Sequence, residues 1–167
     1  MRYTPVAIAL SLFATVSSSA LLGAGYEPDP RAQALVAEGR AALAMGDSQA
    51  AIDAFEAALV VDPGYSHVYI DLADAARADG LQGKAIHYYR EALERDPENL
   101  SAISGEGAAL AEKGALDNAR RNLAKLESMC GSGCSETLAL AAAIEAGPIE
   151  RVMTAEAVTP DAAVTAN

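Results

Sequence analysis

The sequence is short of basic residues and of aromatic residues. Its 12 Lys and Arg stand against 23 Asp and Glu, which gives a net charge of −11. A nucleic-acid-binding protein needs Lys and Arg to release counterions from the phosphate backbone, so this balance argues against a nucleic-acid partner. The chain also has no Trp and only 2 Phe among 167 residues. Its abundant Ala favours closely packed helices over a β-sandwich.

Recognised catalytic and phosphate-binding motifs are also missing. The chain contains no G-x-S-x-G, no glycine-rich phosphate loop and no H-E-x-x-H. Its two histidines, His67 and His87, form no known ligand spacing with the two cysteines. We therefore expect no catalytic residue, no metal site and no cofactor.

The first 24 residues have the order of a secretory signal peptide. Arg2 precedes an apolar run over 6–16, and small residues follow it. Cleavage is predicted near residue 20 or near residue 24, which makes the protein periplasmic or secreted. The alternative is an uncleaved N-terminal anchor, because about 20 residues suffice to cross a bilayer. Contact with a membrane is expected only in that case.

Cys130 and Cys134 are separated by the flexible segment Gly-Ser-Gly. In an oxidising compartment a pair this close favours a disulfide, since the glycines allow the sulfur atoms to meet. A redox-active dithiol is the alternative. Such enzymes favour a C-x-x-C motif that opens a helix after a strand, and this chain has neither the spacing nor a predicted strand.

One pattern recurs every 34 residues along the chain. Gly46, Gly80 and Gly114 share one register, and Asp-Pro pairs occupy 62–63 and 96–97. The glycine ends a first helix and the Asp-Pro pair ends a second, so each unit predicts a helix-turn-helix pair. The second helix of the first unit carries an apolar stripe at helical spacing, formed by Ala51, Ile52, Phe55, Ala58 and Leu59.

This repeat resembles the tetratricopeptide repeat. The segment "GDSQAAIDAFEAALVVDPGY" is its strongest copy, "GLQGKAIHYYREALERDPEN" is nearly as good, and "GALDNARRNLAKLESMCGSG" lacks the aromatic residue and the terminal Pro. The resemblance implies an all-α fold, an α-solenoid of three stacked helix-turn-helix repeats plus a C-terminal capping helix. The predicted segments are a linker over 25–31, a repeat domain over 32–146 with units 32–65, 66–99 and 100–133 and a cap helix over 135–146, and a flexible tail over 147–167.

The resemblance also implies a concave groove lined by the first helix of each unit. By register, the predicted groove residues are Gln33, Val36, Arg40, His67, Ile70, Asp74, Arg77, Ser101 and Ser104. The Arg40 and Arg77 guanidinium groups have the donors to hold a carboxylate or a backbone carbonyl of an extended peptide. The subclass that clamps the carboxylates of chaperone tails uses Lys and Asn at set groove positions. Here Val36, Arg40, Ile70 and Asp74 fill comparable places, so the resemblance does not extend to that subclass.

These features predict a non-catalytic, exported scaffold or adaptor that binds a protein or peptide partner in its groove. The alternatives are a membrane-tethered envelope assembly factor and a thiol-disulfide redox protein that uses Cys130 and Cys134. Nothing in the sequence identifies the partner.

Two carboxylates depart from the family pattern. Glu38 and Glu106 stand one residue before a small residue of the first helix, where the family usually has Leu. We expect both side chains to reach solvent along a helix flank. The alternative is partial burial beside a paired group.

Overall fold

The computed structural model describes residues 26–149 of the chain. They form seven helices: α1 Pro30–Ala44, α2 Ser48–Val61, α3 Val68–Ala78, α4 Gln82–Arg95, α5 Leu100–Glu112, α6 Leu116–Cys130 and α7 Ser135–Ala146. No β-strand occurs within the described residues. The predicted signal peptide over 1–24, and the predicted tail after Ile149, lie outside them.

The turn inside each helix pair is built around a glycine. Gly46, Gly80 and Gly114 have φ angles of 83°, 72° and 89°. These values lie in the left-handed region, which glycine adopts without steric cost. At the starts of α2 and α5, the carboxylate of Asp47 and the amide oxygen of Asn99 each accept a backbone N–H at 3.0 Å. Local signals in the sequence therefore set where the helices begin and end.

The helix pairs α1–α2, α3–α4 and α5–α6 stack in chain order, and α7 packs against α5 and α6. Two glycines of α5 leave space on the helix surface that large side chains of neighbouring helices fill. The fully buried ring of Tyr89, on α4, lies against Gly105, and the fully buried Leu140, on α7, lies against Gly107. The fold class is confirmed: the protein is an all-α solenoid of three helix pairs closed by a seventh helix.

The segment before α1 is anchored to the second turn of the array. α1 begins at Pro30, earlier than the predicted start at 32, because the Asp29 carboxylate accepts the Arg31 N–H at 2.8 Å and proline fits the first turn. The predicted linker is therefore partly helical. The Asp62 carboxylate accepts the Tyr26 hydroxyl at 2.6 Å and the Asp29 backbone N–H at 2.8 Å.

The expectation for Glu106 is wrong, because this side chain is buried between two helices. Only 11% of its side chain is exposed. Its carboxylate accepts the Arg90 Nε–H at 2.7 Å from α4 and the Asn122 amide at 3.0 Å from α6. A buried carboxylate is tolerated when both oxygens have partners. Glu38 is exposed, as expected.

Residues 147–149, which follow α7, lie against the array. Gly147, directly after the end of α7, has a φ of 73°, and the Ile149 backbone N–H donates to the Glu112 carbonyl at 3.0 Å. The beginning of the predicted flexible tail is thus attached to the end of α5. Over the part of the chain described here, no helix has both the length and the apolar character needed to cross a membrane.

Candidate functional site

The first helices of the three pairs, α1, α3 and α5, contact one another in succession, and α7 continues this row. Two cavities open along it. The proximal cavity, of about 330 Å³, includes Arg40, Asp71 and Asn99 in its lining. The distal cavity, of about 300 Å³, lies between α3, α5 and α7. Both are lined by Ile70 and Ser101, so they form one continuous surface, which we call the groove.

The structure brings seven of the nine predicted groove residues to these cavities: Arg40, His67, Ile70, Asp74, Arg77, Ser101 and Ser104. The other two lie elsewhere. Val36 is 2% exposed and belongs to the apolar core around Phe55, so its prediction as a groove residue is wrong. Gln33 is exposed but lines neither cavity, and its amide donates to the Pro28 carbonyl at 2.8 Å.

Arg40 is held by a carboxylate from the next helix of the row. Its Nε and Nη2 donate to Oδ1 and Oδ2 of Asp71 at 2.8 and 2.9 Å. This two-point geometry is the strong form of an arginine–carboxylate pair. The hydrogen bonds to Asp71 raise the pKa of Arg40 further above its ordinary value. Its charge is therefore already matched inside the groove.

Arg77 is also paired with a carboxylate of the next helix in the row, that of Glu112 on α5. Its Nε and Nη2 both lie 2.7 Å from Glu112 Oε1. The other carboxylate oxygen, Oε2, is buried and has no hydrogen-bond partner among residues 26–149. The hydrogen bond to Glu112 is also the main reason that the pKa of Arg77 is raised. The second predicted cation of the groove is thus also engaged by a neighbouring helix.

Asp74 connects the floor of the groove to the core. Its Oδ1 accepts a short hydrogen bond from the hydroxyl of Tyr89, whose ring is fully buried. Burial is the main cause that raises the pKa of Tyr89. Part of Asp74 is exposed, yet protein surrounds its carboxylate closely enough for desolvation to raise its pKa. The Tyr89 hydrogen bond and the Arg77 charge oppose that rise.

Helix α7 supplies the far wall of the distal cavity. Ser104, which is 8% exposed, donates its hydroxyl to the Glu136 carbonyl at 2.9 Å and so ties α5 to α7. The Glu136 carboxylate accepts the Ser135 hydroxyl at 2.8 Å. Ala139 completes this wall. Sequence reasoning missed Glu136, because the helix-spacing argument treated α7 only as a cover for the last pair.

The acidic partners of the two arginines were also missed. Asp71 and Glu112 lie on the helix that follows each arginine in the row, and each is separated from its arginine by close to one repeat length. A search for opposite charges near that separation would have found both. Opposite charges are common in a sequence this acidic, so the signal alone would have been weak.

The cysteines lie away from these cavities, at the turn between α6 and α7. The Cα atoms of Cys130 and Cys134 are 6.0 Å apart, within the range that a disulfide spans. The Thr137 hydroxyl donates to the Gly131 carbonyl at 2.9 Å and lies 3.0 Å from the Cys134 sulfur. Neither cysteine lines the groove. Within residues 26–149, no group of three or more His, Cys, Asp or Glu is placed to hold a metal ion.

The sequence matches a family profile, and the fold matches solved structures. The tetratricopeptide repeat profile matches residues 36–99 and 70–127, which together cover more than half of the chain. No curated protein sequence matches the chain.

Solved structures share the helical arrangement. The first tetratricopeptide repeat domain of Spaghetti (RPAP3), bound to the HSP90 peptide SRMEEVD, is 19% identical, with a TM-score of 0.63 over 72% of this chain and 98% of that one. The Sgt2 domain from Aspergillus fumigatus is 26% identical, with a TM-score of 0.63 over 83% and 94%. The second domain of human RPAP3, in complex with the HSP70 peptide SGPTIEEVD, is 15% identical, with a TM-score of 0.59 over 68% and 98%. The profile match and the shared fold show that this chain belongs to the tetratricopeptide repeat family.

Proposed function

We propose that the protein is a non-catalytic interaction module that holds a segment of a partner protein in the groove. The observation that carries this proposal is the continuous surface formed by the two cavities along α1, α3, α5 and α7. Ile70 and Ser101 at their junction offer an apolar contact and a hydroxyl to one bound chain. Two structurally similar domains were solved with peptides, SRMEEVD and SGPTIEEVD, which supports a peptide ligand here.

Site-specific cross-linking in the native compartment tests this proposal. A photoreactive phenylalanine analogue replaces Ser101, where the cavities meet, and in a control it replaces Val60 on α2, which is 82% exposed and lines neither cavity. We expect one partner segment to be cross-linked from position 101 and not from position 60. The same segment, made as a peptide, should bind the purified protein and lose binding with Ser101→Trp but not with Val60→Trp. Equal labelling from both positions, or binding unaffected by Ser101→Trp, contradicts the proposal.

We also propose that the protein is exported, to the periplasm or the outside of the cell, after cleavage near residue 20 or near residue 24. Export is supported by the order of the N-terminal residues, in which Arg2 is followed by an apolar run and then by small residues. In an oxidising compartment Cys130 and Cys134 then form a structural disulfide at the α6–α7 turn. Mass spectrometry of the purified protein should find Leu21 or Gly25 as the first residue. An intact N-terminus in the membrane fraction would support the tethered assembly factor instead.

The cysteine pair also allows a test of the redox alternative. A structural bridge should resist glutathione, and the protein should not reduce insulin disulfides. Insulin reduction that is lost with Cys130→Ser would support a thiol-disulfide enzyme and contradict the proposed role of the bridge.

A further inference from the structure

We propose that the segment held in the groove carries a Lys or Arg side chain, which enters the distal cavity between Asp74 and Glu136. This inference rests on the proposed function and specifies the chemistry of its ligand.

The positive charges of the groove are already matched. Arg40 donates two hydrogen bonds to Asp71, and Arg77 directs two nitrogen atoms at one oxygen of Glu112. An acidic peptide would have to break one of these pairs to reach either guanidinium group. Breaking one would leave a carboxylate without its base, which is costly where the carboxylate is only 16% or 14% exposed, as in Asp71 and Glu112.

The negative charges of the distal cavity are not all matched. Asp74 on α3 and Glu136 on α7 line it from opposite sides. Their carboxylates accept hydrogen bonds from two neutral hydroxyls, those of Tyr89 and Ser135. Within the described range 26–149, neither carboxylate forms an ion pair with a base. Arg77 lines the same cavity one helical turn from Asp74, and its charge partly offsets that of Asp74, but its ion pair is with Glu112.

A second acceptor without a partner lies beside Asp74. Glu112 Oε2 is buried and unsatisfied within the described residues. Asp74, Arg77 and Glu112 together line a further cavity of about 320 Å³, next to Ile149. The distal cavity and this neighbouring cavity together therefore have more acceptors and negative charge than the protein's described donors satisfy. A cationic side chain provides both the charge and the donors that are missing.

The remaining walls suit the stem of a long basic side chain. Ile70 and Ala139 are apolar, and Gly105 presents backbone without a side chain. Lys and Arg side chains bury their methylene stems against such surfaces while the charged group reaches a polar partner. A cavity of about 300 Å³ is at the small end of ligand pockets and has room for one such side chain. The net charge of −11 would in addition attract a basic partner over longer distances.

Selection of peptides from a random display library on the immobilised protein tests the inference. We expect the recovered peptides to be enriched in Lys and Arg and depleted of Asp and Glu. The best peptide should bind Asp74→Asn/Glu136→Gln about tenfold more weakly, which corresponds to the loss of one close charge pair. Thermal melting of this variant, followed by circular dichroism, checks that it remains folded.

The matched control removes the same two charges outside the groove. Asp53 on α2 and Glu145 on α7 are exposed and line neither cavity, so Asp53→Asn/Glu145→Gln changes the net charge equally. Its affinity for the peptide should stay within about twofold of the unmodified protein, because exposed charges contribute little.

The possible results separate this inference from the proposed function. Selected peptides without a basic preference, or equal weakening in the site and control variants, overturn the inference while Ser101→Trp still tests groove binding. Peptides enriched in Asp and Glu that depend on Arg40 or Arg77 also overturn it. Recovery of no binding peptide contradicts groove binding itself, and this inference with it.

Discussion

Replacing Gly105 with Ala should destabilise the protein, although Ala is the better helix former. A Cβ atom at this position would lie 2.3 Å from Cε1 and Cζ of the Tyr89 ring and 2.6 Å from its hydroxyl oxygen. The ring is fully buried and cannot move into solvent. Ordinary contact begins at 3.4 Å, so α4 and α5 would have to separate by about 1 Å in a close-packed interior.

The expected size of the effect follows from two opposing contributions. Overpacking of a well-packed core costs about 1–3 kcal/mol, and the rigid ring places this site at the upper end. The higher helix propensity of Ala relative to Gly stabilises the helix by about 1 kcal/mol. We therefore expect the free energy of unfolding to fall by about 2 kcal/mol, which lowers the melting temperature by roughly 6–10 °C in a domain of this size.

Gly83→Ala is the matched control. Gly83 is also helical, in α4, but nothing lies within 4 Å of a Cβ placed there. Its melting temperature should stay the same or rise, since only the gain in helix propensity remains, at most about 1 kcal/mol. Circular dichroism melts of both variants check the prediction, and in a Tyr89→Ala background Gly105→Ala should no longer be destabilising. A Gly105→Ala protein that melts at or above the unmodified temperature would refute the packing argument.

Three further changes test other parts of the molecule. Replacing both Cys130 and Cys134 with Ser should lower the free energy of unfolding by about 2 kcal/mol, measured with urea, if the short ring is bridged; an unchanged midpoint contradicts the bridge. Leu140→Ala should lower the free energy of unfolding by about 2–5 kcal/mol and speed hydrogen exchange in α7, because this buried side chain packs the helix against α5. A decrease well below that range contradicts this role. The pKa of Tyr26 is raised to about 12, first by desolvation and then by the hydrogen bond to Asp62, and ultraviolet titration should show it fall towards 10.0 with Asp62→Asn. Because the folded pKa is the higher one, this contact favours the folded state below pH 10 and is lost as the pH rises through about 12. A titration that Asp62→Asn leaves unchanged would rule out the hydrogen bond as a cause.

The helix pairs could be predicted because their signals are local. Gly46, Gly80 and Gly114 end helices by a backbone conformation that needs no information from distant parts of the chain. An Asp-Pro pair follows the second helix of each of the first two units for the same kind of reason. Stacking then follows, since no single pair can bury its own apolar face.

The groove could be predicted only in part. Register placed Arg40 and Arg77 on the correct face, but their ion pairs depend on how successive helices are offset and rotated. The sequence separation of each pair differs from the repeat length: Asp71 is 31 residues after Arg40, and Glu112 is 35 after Arg77. The sequence of a single unit therefore does not predict these contacts, which join residues of two units.

Burial was misjudged at two positions for a similar reason. Val36 is buried together with Ala32, Gly39 and Ala42 of α1. Glu106 lies in α5, where most residues over 102–111 are buried because helices pack against several sides of it. For Glu106 the outcome also requires Arg90 and Asn122, which lie on two other helices. Helical spacing within one segment does not carry that information.

The Tyr89 side chain links the proposed binding groove to the packing between helix pairs. Its hydroxyl donates to Asp74, which lines the groove, while its ring packs between the second helix pair and Gly105 of the third. A ligand that engages Asp74 therefore acts on the same residue that sets the spacing of two neighbouring pairs. Ligand binding in the groove should therefore slow amide exchange along the junction of α4 and α5, without any change in the fold.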